Sequence, residues 1–366
     1  MNIGFDAKRA LNNYSGLGNY ARHLLNGLFE YFPDNSYRLY SPKVREDLFH
    51  RLQGSFEWEQ PAGKFAKSFP FYWRSFQLNN LMSVQRLHIY HGLSNEIPFG
   101  ARPAGVARVV TIHDLLFKQY PEHYPLFDRT VYALKTKYAI KHADHIIAVS
   151  HAVKNDIVNQ YKVPDKKITV IPPIPGRKFY SQPTAAHLQL PHKYILNVGT
   201  FTARKNQLAL VRAYATIQQQ IPEHLVLVGA KGPALKAVTE LVNKLQLQHR
   251  VHILHHVQQQ DLPGVYSGAT AFVFVSVNEG FGMPVTEAML CQVPVIATGY
   301  GAVQEAAGNA ALAVNPNDVE EIGSAILQVV QSPATQQKMI ESGNLHVQTF
   351  TAQELTRQLT NVYEQL

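Results

Sequence analysis

The chain has 366 residues, of which 46% are hydrophobic and 16% charged, as expected of two globular domains with full cores. Its single cysteine excludes a disulfide framework and favours a reducing compartment, which we expect to be the cytoplasm. No apolar run approaches the ~18 residues that a membrane span needs, and from the first residues, Met1–Asp6, we expect no signal peptide.

The net charge of +8 is concentrated in the first half of the chain. Residues 1–180 contain 24 Lys and Arg against 14 Asp and Glu, whereas residues 181–366 contain 10 against 12. A basic half either serves solubility alone or meets an anionic substrate or surface. The segment Lys64–Arg74 mixes bases with aromatics, which suits a half-buried helix or an interfacial surface. One hypothesis is therefore peripheral contact with the anionic inner face of a membrane, and we expect no nucleic-acid partner.

Continuous apolar runs mark the predicted strands, which is typical of parallel strands covered on both faces. In the first half these strands are Asn2–Phe5, Tyr37–Tyr40, His88–His91, Ala107–Ile112, His145–Val149 and Ile168–Ile171. In the second half they are Lys193–Val198, His224–Val228, Arg250–Leu254, Thr270–Val275, Pro294–Ala297 and Ala310–Val314. The longer predicted helices between them are Tyr20–Tyr31, Val131–Ala143, Gln207–Gln219, Pro233–Leu245 and Val319–Gln331. This alternation predicts an α/β fold of two doubly wound, Rossmann-like domains that face each other across a cleft.

A stretch rich in proline and glycine, Pro172–Gly176, marks the expected domain boundary. We expect a first domain over residues 1–175, a linker over residues 176–191 and a second domain over residues 192–347. In the tail, Leu355, Leu359 and Val362 recur at helical spacing. Residues 348–366 are therefore predicted to form a helix that packs back on the first domain.

Three segments of the first half place candidate residues at predicted strand ends. Gly16 and Gly18 lie between a strand and a helix, where glycine amides can approach a phosphate. A plain turn explains them as well, because the third glycine of a dinucleotide motif is absent. His113 can donate to a sugar hydroxyl or to a developing charge, or it can be purely structural. Asn95 and Glu96 follow another strand, where polar groups could hold an acceptor molecule.

In the second half, Gly199 begins a strand-to-helix turn that carries Arg204 and Lys205. Arginine offers a bidentate fork and lysine a point charge, so the pair suits a diphosphate. The alternative is a solvated basic pair near a helix start. Cations at that end oppose the helix dipole, which favours the presence of an anionic partner.

Two carboxylates, Glu279 and Glu287, flank a tight loop before a predicted helix. The loop contains Gly280, Phe281 and Gly282. Because an apolar strand precedes the loop and Pro284 suits a helix start, the pattern predicts a strand, a turn and a helix. Glu279 is expected at the strand exit and Glu287 in the first helical turn. Both would lie beside a helix N-terminus, which attracts anions.

Other chemistries lack their motifs in this sequence. It has no Asp-x-Asp pair, no cysteine and histidine cluster with zinc spacing, and no Gly-x-x-x-x-Gly-Lys-Ser/Thr loop. We therefore expect no metal site, no cofactor and no ATPase activity.

The segment Glu279–Ala288 resembles the Glu-x7-Glu signature of the retaining family 4 glycosyltransferases, which have the GT-B fold. Further segments that match the family are Ser15–Tyr20, Thr111–Asp114, Ala143–Ser150, Gly199–Asn206 and Val293–Ala297. Thr200 and Asn206 depart from the residues that are commoner in the family at those positions. The resemblance covers nearly the whole chain in the family's order.

The resemblance implies how the candidate residues bind a donor. Glu287 would bind the nucleotide ribose, and Glu279 would contact the donor sugar. Arg204 and Lys205, in the turn that begins at Gly199, would neutralise the diphosphate.

The resemblance also implies the reaction. The amides of Gly280–Gly282 and Gly16–Gly18 would complete the phosphate site, and His113 would touch the donor sugar and stabilise the transition state. The implied activity is metal-independent transfer, with retention, of a hexose from a GDP- or UDP-sugar to a carbohydrate or lipid-linked acceptor. Two alternatives stay open, a two-domain sugar-nucleotide epimerase and a non-catalytic anion-binding protein.

Overall fold

The chain divides into two compact α/β units. The computed structural model describes residues 1–121, 125–181, 187–255 and 257–366. Unit 1 comprises Met1–Ile174 and Phe350–Leu366, and unit 2 comprises Pro175–Thr349. Residues 182–186 of the expected linker lie outside the described residues. Within the described ranges, no helix is both long enough and apolar enough to cross a membrane.

Unit 1 is built on a seven-stranded parallel sheet. Its strands are β1 (Asn2–Asp6), β2 (Ser36–Tyr40), β3 (Glu57–Glu59), β4 (Ile89–Gly92), β5 (Ala107–Ile112), β6 (His145–Ala148) and β7 (Ile168–Val170). They lie in the order β3-β2-β1-β4-β5-β6-β7, and each adjacent pair is parallel. The chain order reverses between β1 and β4. In doubly wound sheets, ligands bind beyond the carboxyl ends of the strands at such a switch point.

The helices of unit 1 cover this sheet. They are α1 (Lys8–Asn12), α2 (Gly16–Tyr31), α3 (Glu46–Phe49), α4 (Lys64–Ser68), α5 (Pro70–Tyr72), α6 (Leu78–Val84), α7 (Leu116–Gln119), α8 (Leu126–His142) and α9 (His151–Tyr161). A π-helical segment, Trp73–Gln77, joins α5 to α6. α9 begins after Ser150, because the Ser150 hydroxyl accepts a hydrogen bond from the Val153 amide and caps the helix.

Unit 2 repeats the doubly wound arrangement with six parallel strands. These are β8 (Tyr194–Val198), β9 (His224–Val228), β10 (Val251–Leu254), β11 (Ala271–Phe274), β12 (Val295–Thr298) and β13 (Leu312–Val314). They lie in the order β10-β9-β8-β11-β12-β13, so the switch point falls between β8 and β11. The helices are α10 (Gln207–Ile217), α11 (Leu235–Lys244), α12 (Leu262–Ser267), α13 (Met283–Leu290), α14 (Gly301–Ala307), α15 (Val319–Val330) and α16 (Pro333–Val347).

The C-terminal helix α17 (Ala352–Glu364) belongs to unit 1 and packs against α2. Leu355, Leu359 and Tyr363 are buried along one face of the helix, as their spacing predicts. Gly27 of α2 allows the close approach, because a Cβ at that position would lie 2.8 Å from Cγ2 of Thr356. The last helix of the chain therefore completes the core of the first unit.

Candidate active site

In unit 2, two loops meet at the switch point, one after β8 and one after β11. The Val277 amide donates to the Arg204 carbonyl (2.8 Å), and the Arg204 guanidinium donates to the Asn278 carbonyl (3.3 Å). The turn with Arg204 and the loop with Glu279 are far apart in the sequence, yet together they form one continuous surface.

Glu279 forms ion pairs with both predicted cations of this surface. Its Oε2 lies 2.5 Å from Nη1 of Arg204, and its Oε1 lies 2.5 Å from Nζ of Lys205. The Ser276 hydroxyl donates to the same Oε1 at 2.5 Å. The Arg204 side chain is 27% exposed, whereas those of Lys205 and Glu279 are 11% and 10% exposed. The structure thus brings three predicted residues together and leaves Arg204 the most accessible of them.

The electrostatics of this cluster favour an anionic ligand. Burial raises the pKa of Glu279, but Lys205 and Arg204 outweigh burial and lower that pKa to about 2. Burial lowers the pKa of Lys205, and the charge of Glu279 opposes this effect. One ionised carboxylate therefore faces two cationic side chains, which leaves a surplus of positive charge at the switch point.

Gln207, which the sequence did not single out, supports the turn that carries the two cations. Its Nε2 donates to the carbonyls of Gly199 (3.3 Å) and Thr200 (3.4 Å) from a buried position. Asn206 has a left-handed φ of 57°, a conformation that asparagine tolerates and glycine adopts freely. Its side-chain amide donates to the Pro316 carbonyl (2.6 Å). The shared left-handed conformation explains why asparagine can stand where the family commonly has glycine.

The glycine loop leads into α13 as predicted. Gly282 has a φ of +125°, which side chains disfavour, and a Cβ there would lie 3.3 Å from Cβ of Ala306. The side chain of Phe281 is buried, so this residue offers a ligand its backbone and not its ring. α13 begins at Met283 with no acidic residue in its first turn, where helical amides lack intrahelical partners. The amides after Gly280 are therefore placed at a helix N-terminus.

Glu287 lies in the second turn of α13 and not in the first, because the helix begins at Met283. The Tyr266 hydroxyl donates to its Oε2 (3.0 Å). Burial raises the pKa of Glu287, and Lys178 and Tyr266 oppose the increase. Among the described residues, Oε1 of Glu287 accepts no hydrogen bond. This oxygen is therefore available to a hydroxyl group of a ligand.

Unit 1 has a separate cavity of about 180 Å³ beyond the carboxyl ends of β4 and β5. It is lined by Arg9, Leu17, Ser94, Asn95, His113, Asp114, Phe117, Tyr132 and Thr136. The cavity brings His113 and Asn95 together beside the first turn of α2. Arg9 was missed, although its place just after β1 at the switch point could have indicated it.

The structure corrects the predicted role of His113 as a hydrogen-bond donor to a ligand. Its Nε2 lies 2.8 Å from the Leu93 carbonyl, which can only accept, so Nε2 carries the proton. Burial lowers the pKa of His113 to about 4, so the ring is neutral at pH 7 and Nδ1 is an acceptor. His113 can therefore accept a hydrogen bond from a sugar hydroxyl, while its N–H stays with Leu93.

A buried chain of polar groups leads from α17 to His113. The Tyr363 hydroxyl lies 2.6 Å from Nδ1 of His91, and Nε2 of His91 lies 2.8 Å from Oγ1 of Thr111. Oγ1 of Thr111 lies 3.1 Å from the hydroxyl of Tyr20. The Tyr20 ring packs edge-on against the His113 ring, with centroids 4.5 Å apart. Burial lowers the pKa of His91 to about 3 and raises that of Tyr20 to about 12, so both are neutral at pH 7.

Asn95 holds the loop that carries His113. Its Oδ1 accepts from the His113 amide (2.9 Å), and its Nδ2 donates to the Asp114 carbonyl (3.0 Å). Asn95 has a left-handed φ of 56°, which turns its side chain back onto this loop. Contact between Asn95 and an acceptor stays a prediction.

Glu96 belongs to a buried ion cluster and is not among the residues that line the cavity. Its carboxylate pairs with Arg74 and with Nζ of Lys135 (2.5 Å), and Arg74 also pairs with Oδ2 of Asp6 (2.5 Å). Burial raises the pKa of Glu96, but Arg74 and Lys135 outweigh it and lower that pKa to about 2. Both carboxylate oxygens of Glu96 are therefore paired with cations. An acceptor-binding role for Glu96 stays a prediction.

Gly16 and Gly18 both lie in the first turn of α2, in different surroundings. A Cβ at Gly18 would lie 1.9 Å from the Asn13 carbonyl oxygen, whereas a Cβ at Gly16 would meet no atom of the described residues within 4 Å. Arg22 is buried and donates to the carbonyls of Ala10 (2.7 Å) and Asn13 (2.8 Å), which ties α1 to α2. Packing therefore explains Gly18, while Gly16 leaves open space in front of the helix N-terminus.

Gly18→Ala is expected to lower the free energy of unfolding of unit 1 by about 1–3 kcal/mol, because the new Cβ overpacks the backbone. The matched variant Gly16→Ala should match the wild type or gain up to ~1 kcal/mol, because alanine is the better helix former. Denaturant titration followed by tryptophan fluorescence reports on this unit, since Trp58 and Trp73 both lie in it. Equal stabilities of the two variants would contradict the packing role of Gly18.

The described residues of neither unit offer a metal site. Among them, no group of three or more His, Cys, Asp or Glu side chains is arranged to hold an ion. Glu279 faces two cations and Glu287 faces Tyr266.

Two family models match the chain, one in each half. Residues 14–174 match the model described as Glycosyltransferase Family 4, and residues 184–346 match the model described as Glycosyl transferases group 1. The first match contains the residues after α2 that line the His113 cavity, and the second contains Arg204, Lys205 and Glu279.

Named relatives are bacterial sugar transferases. The chain is 29% identical over 289 residues to O-antigen chain mannosyltransferase B of Escherichia coli, which covers 76% of this chain and 74% of that protein. It is 30% identical over 228 residues to O-antigen chain mannosyltransferase RfbU of Salmonella typhimurium, with 62% of each protein covered.

Solved structures share the fold. A glycosyltransferase of Rickettsia africae superposes with a TM-score of 0.75 at 17% identity, covering 100% of this chain and 98% of that one. Anabaena HepE, solved in complex with UDP and glucose, superposes with a TM-score of 0.75 at 18% identity, covering 100% of both chains. At these identities the likeness concerns the fold alone, and it supports the predicted GT-B architecture.

Proposed function

The chain belongs to the family 4 glycosyltransferases, and on this premise we propose that it transfers a hexose from a nucleoside diphosphate sugar to a carbohydrate or lipid-linked acceptor. One observation carries the proposal: Arg204 and Lys205 converge on Glu279 beside the N-terminus of α13. Two cations, one carboxylate and a helix N-terminus are suited to a diphosphate. The epimerase and the non-catalytic binding protein are not favoured, because the matches are to glycosyltransferases.

We propose that the donor diphosphate takes the place of Glu279 on the two cations. Arg204 binds the diphosphate through its partly exposed fork, and Lys205 adds a point charge from a more buried position. Glu279, released from part of its pairing, contacts the donor sugar. Glu287 accepts hydrogen bonds from the ribose hydroxyls through the oxygen that Tyr266 does not occupy.

The chemistry follows from where negative charge develops. The bond between the anomeric carbon and the β-phosphate oxygen breaks, and charge builds on that oxygen. Preorganised cations and amides aimed at the oxygen lower the barrier, and each hydrogen bond to a charged group contributes ~1.5–3 kcal/mol. The acceptor hydroxyl attacks the anomeric carbon from the same face, and its proton passes to the leaving phosphate. The configuration is retained, and no metal takes part in this proposed route.

His113 is proposed to bind a sugar hydroxyl in unit 1. Because Nε2 donates to Leu93, Nδ1 is the atom that accepts from the hydroxyl. The chain of polar groups from Tyr363 to Tyr20 holds the ring in this orientation without carrying charge.

The donor is proposed to be a GDP- or UDP-hexose. The relatives named as O-antigen mannosyltransferases support mannose as the sugar and a carbohydrate or lipid-linked molecule as the acceptor. The HepE complex supports UDP as the alternative to GDP in the donor. The acceptor side also includes the proposed contacts of Asn95, which holds the loop that carries His113, and of Glu96.

Peripheral contact of unit 1 with an anionic membrane, at its cytoplasmic face, is a further part of the proposal. Phe69, Phe71 and Phe76 are exposed aromatic side chains of one segment. Lys67 of the same segment is also exposed, so a base accompanies them. Aromatic rings and cations together suit a lipid interface, where a lipid-linked acceptor would be found.

A ligand screen tests the donor assignment. We expect GDP, UDP or one of their mannose or glucose esters to stabilise the protein, by about 2.7 kcal/mol at 100 times its Kd. Sugar transfer from the stabilising donor should persist in excess EDTA. Activity that disappears in EDTA and returns with Mg²⁺ would contradict metal independence, and stabilisation by no nucleotide would contradict the donor site.

A further inference from the structure

Arg108, the second residue of β5, is a buried cation without a carboxylate partner. It is 1% exposed, and its guanidinium donates to Oδ1 of Asn79 (3.0 Å) and to the carbonyls of Ala101 (3.1 Å) and Gly100 (3.4 Å). Its Nε has no hydrogen-bond partner among the described residues. In the described part of the chain, no carboxylate lies within ion-pair distance of this guanidinium. A buried charge is costly unless an opposite charge compensates it, so the site favours an anion.

A cavity of about 590 Å³ adjoins this arginine. Its lining includes Arg102, Arg108, Tyr138, Lys141, His142 and Asp144. Asp144 does not neutralise Arg108, because its oxygens pair with the Arg102 side chain and with the Arg108 backbone amide. We call this space the Arg108 cavity.

The surroundings of the Arg108 cavity are positively charged. Burial lowers the pKa of His142, and the charges of Lys141, Arg108 and Lys167 lower it further. The last carbonyls of α8 would repel an anion, but Nζ of Lys167 donates to those of Ile140 (3.2 Å) and Lys141 (3.4 Å). The negative end of the helix is therefore covered by a cation.

The Arg108 cavity is distinct from the cavity that contains His113. Arg108 lies near the amino end of β5, and His113 follows its carboxyl end, about 16 Å along the strand at ~3.3 Å per residue. The diphosphate cluster lies in unit 2.

We propose that the Arg108 cavity binds a phosphate group. Lys141 and Arg102 contact the anion at the exposed mouth, and Arg108 supplies its charge from the buried floor. Tyr138 forms part of the wall, and its ring contacts Phe99 (centroids 4.6 Å apart), which stacks on the exposed Phe76 (5.7 Å). The aromatic surface of unit 1 thus continues to the cavity, so the phosphate can belong to a lipid headgroup or to a soluble phosphate ester.

Titration with inorganic phosphate at constant ionic strength, followed by ³¹P NMR, tests the site. The titration uses Arg204→Ala protein, which removes the more exposed of the two cations that pair with Glu279 in unit 2. Adding Lys141→Glu should weaken phosphate binding at least tenfold. The matched charge reversal Lys43→Glu, at an exposed lysine of unit 1 away from the cavity, should change binding less than twofold. Equal binding by the Lys141→Glu and Lys43→Glu proteins would overturn the proposal, provided that both show wild-type tryptophan fluorescence.

Two further ligands distinguish the sources of phosphate. A lipid headgroup is identified if the protein is recruited to phosphatidylglycerol vesicles but not to phosphatidylcholine vesicles, and if Lys141→Glu abolishes this recruitment. Binding of glycerol 1-phosphate without recruitment to vesicles identifies a soluble ester. Absence of binding to inorganic phosphate, glycerol 1-phosphate and both vesicles would overturn the site altogether.

Discussion

Arg204→Ala is expected to reduce kcat/KM roughly 10–150-fold. The lost interaction is a charge-assisted hydrogen bond to the diphosphate, worth ~1.5–3 kcal/mol, and each 1.36 kcal/mol corresponds to a tenfold change in rate. The structure supports the choice of residue, because Arg204 is the most exposed member of the cluster. Steady-state kinetics with the donor identified by the screen measure the effect.

Glu279 is expected to stay ionised in the Arg204→Ala protein. The effect of losing the Arg204 cation is therefore separate from any change in the protonation of Glu279. Lys205 and Ser276 remain beside Glu279, and its pKa starts at about 2, so the carboxylate is charged at pH 7 in both proteins. The pH profile should therefore keep its shape while its height falls. Lys236→Ala removes an exposed cation of α11 that pairs with Glu240 on its own helix, and it should retain full activity. Wild-type kinetics in the Arg204→Ala enzyme would contradict the diphosphate assignment.

Most of the fold was predictable because buried parallel strands carry a local signal. The twelve apolar runs each correspond to a strand whose ends lie within two residues of the prediction. The other strand of the described residues, β3 (Glu57–Glu59), was missed because it is short, lies at the sheet edge and has two acidic residues. Helix starts were less accurate: α2 begins at Gly16 and not at Tyr20, since glycines near a helix start resemble a loop in sequence.

The unit 2 site was predictable for a different reason. Its residues lie in two short loops at strand ends, and parallel strands bring such loops to one edge of the sheet. Local pattern therefore indicated Arg204, Lys205 and Glu279, although it could not indicate that the cations pair with Glu279. That pairing depends on the positions of two loops 74 residues apart.

The polar network of unit 1 was not predictable from spacing. His91 and Tyr363 are 272 residues apart, and Arg74 meets Asp6 from 68 residues away. Each of these residues has an ordinary local sequence, and its partner is set by tertiary packing alone. The direction of the His113 hydrogen bond is likewise fixed by the Leu93 carbonyl, and no sequence motif predicts this contact.

His91→Gln is expected to flatten the acid dependence of stability of unit 1. His91 is buried with a pKa of about 3, against 6.5 in the unfolded chain. Below pH 6.5 the unfolded state therefore binds a proton that the folded state does not, so stability falls as the pH falls toward 3. At pH 4.5 this loss amounts to roughly 2–3 kcal/mol relative to pH 7, at 1.36 kcal/mol per pKa unit. Glutamine can donate to Thr111 and accept from Tyr363 without titrating.

Tryptophan-monitored denaturant titrations at pH 7 and pH 4.5 measure the difference between the two proteins. This window separates the histidine from the buried carboxylates, because the pKa values of Glu96 and Glu279 are about 2 and their stabilising effect is lost only below the unfolded value of 4.5. The buried His113 titrates in both proteins and so cancels in the comparison. If both proteins lose the same stability between these pH values, His91 is protonated in the folded unit. The uncharged link between α17 and the His113 loop would then be wrong.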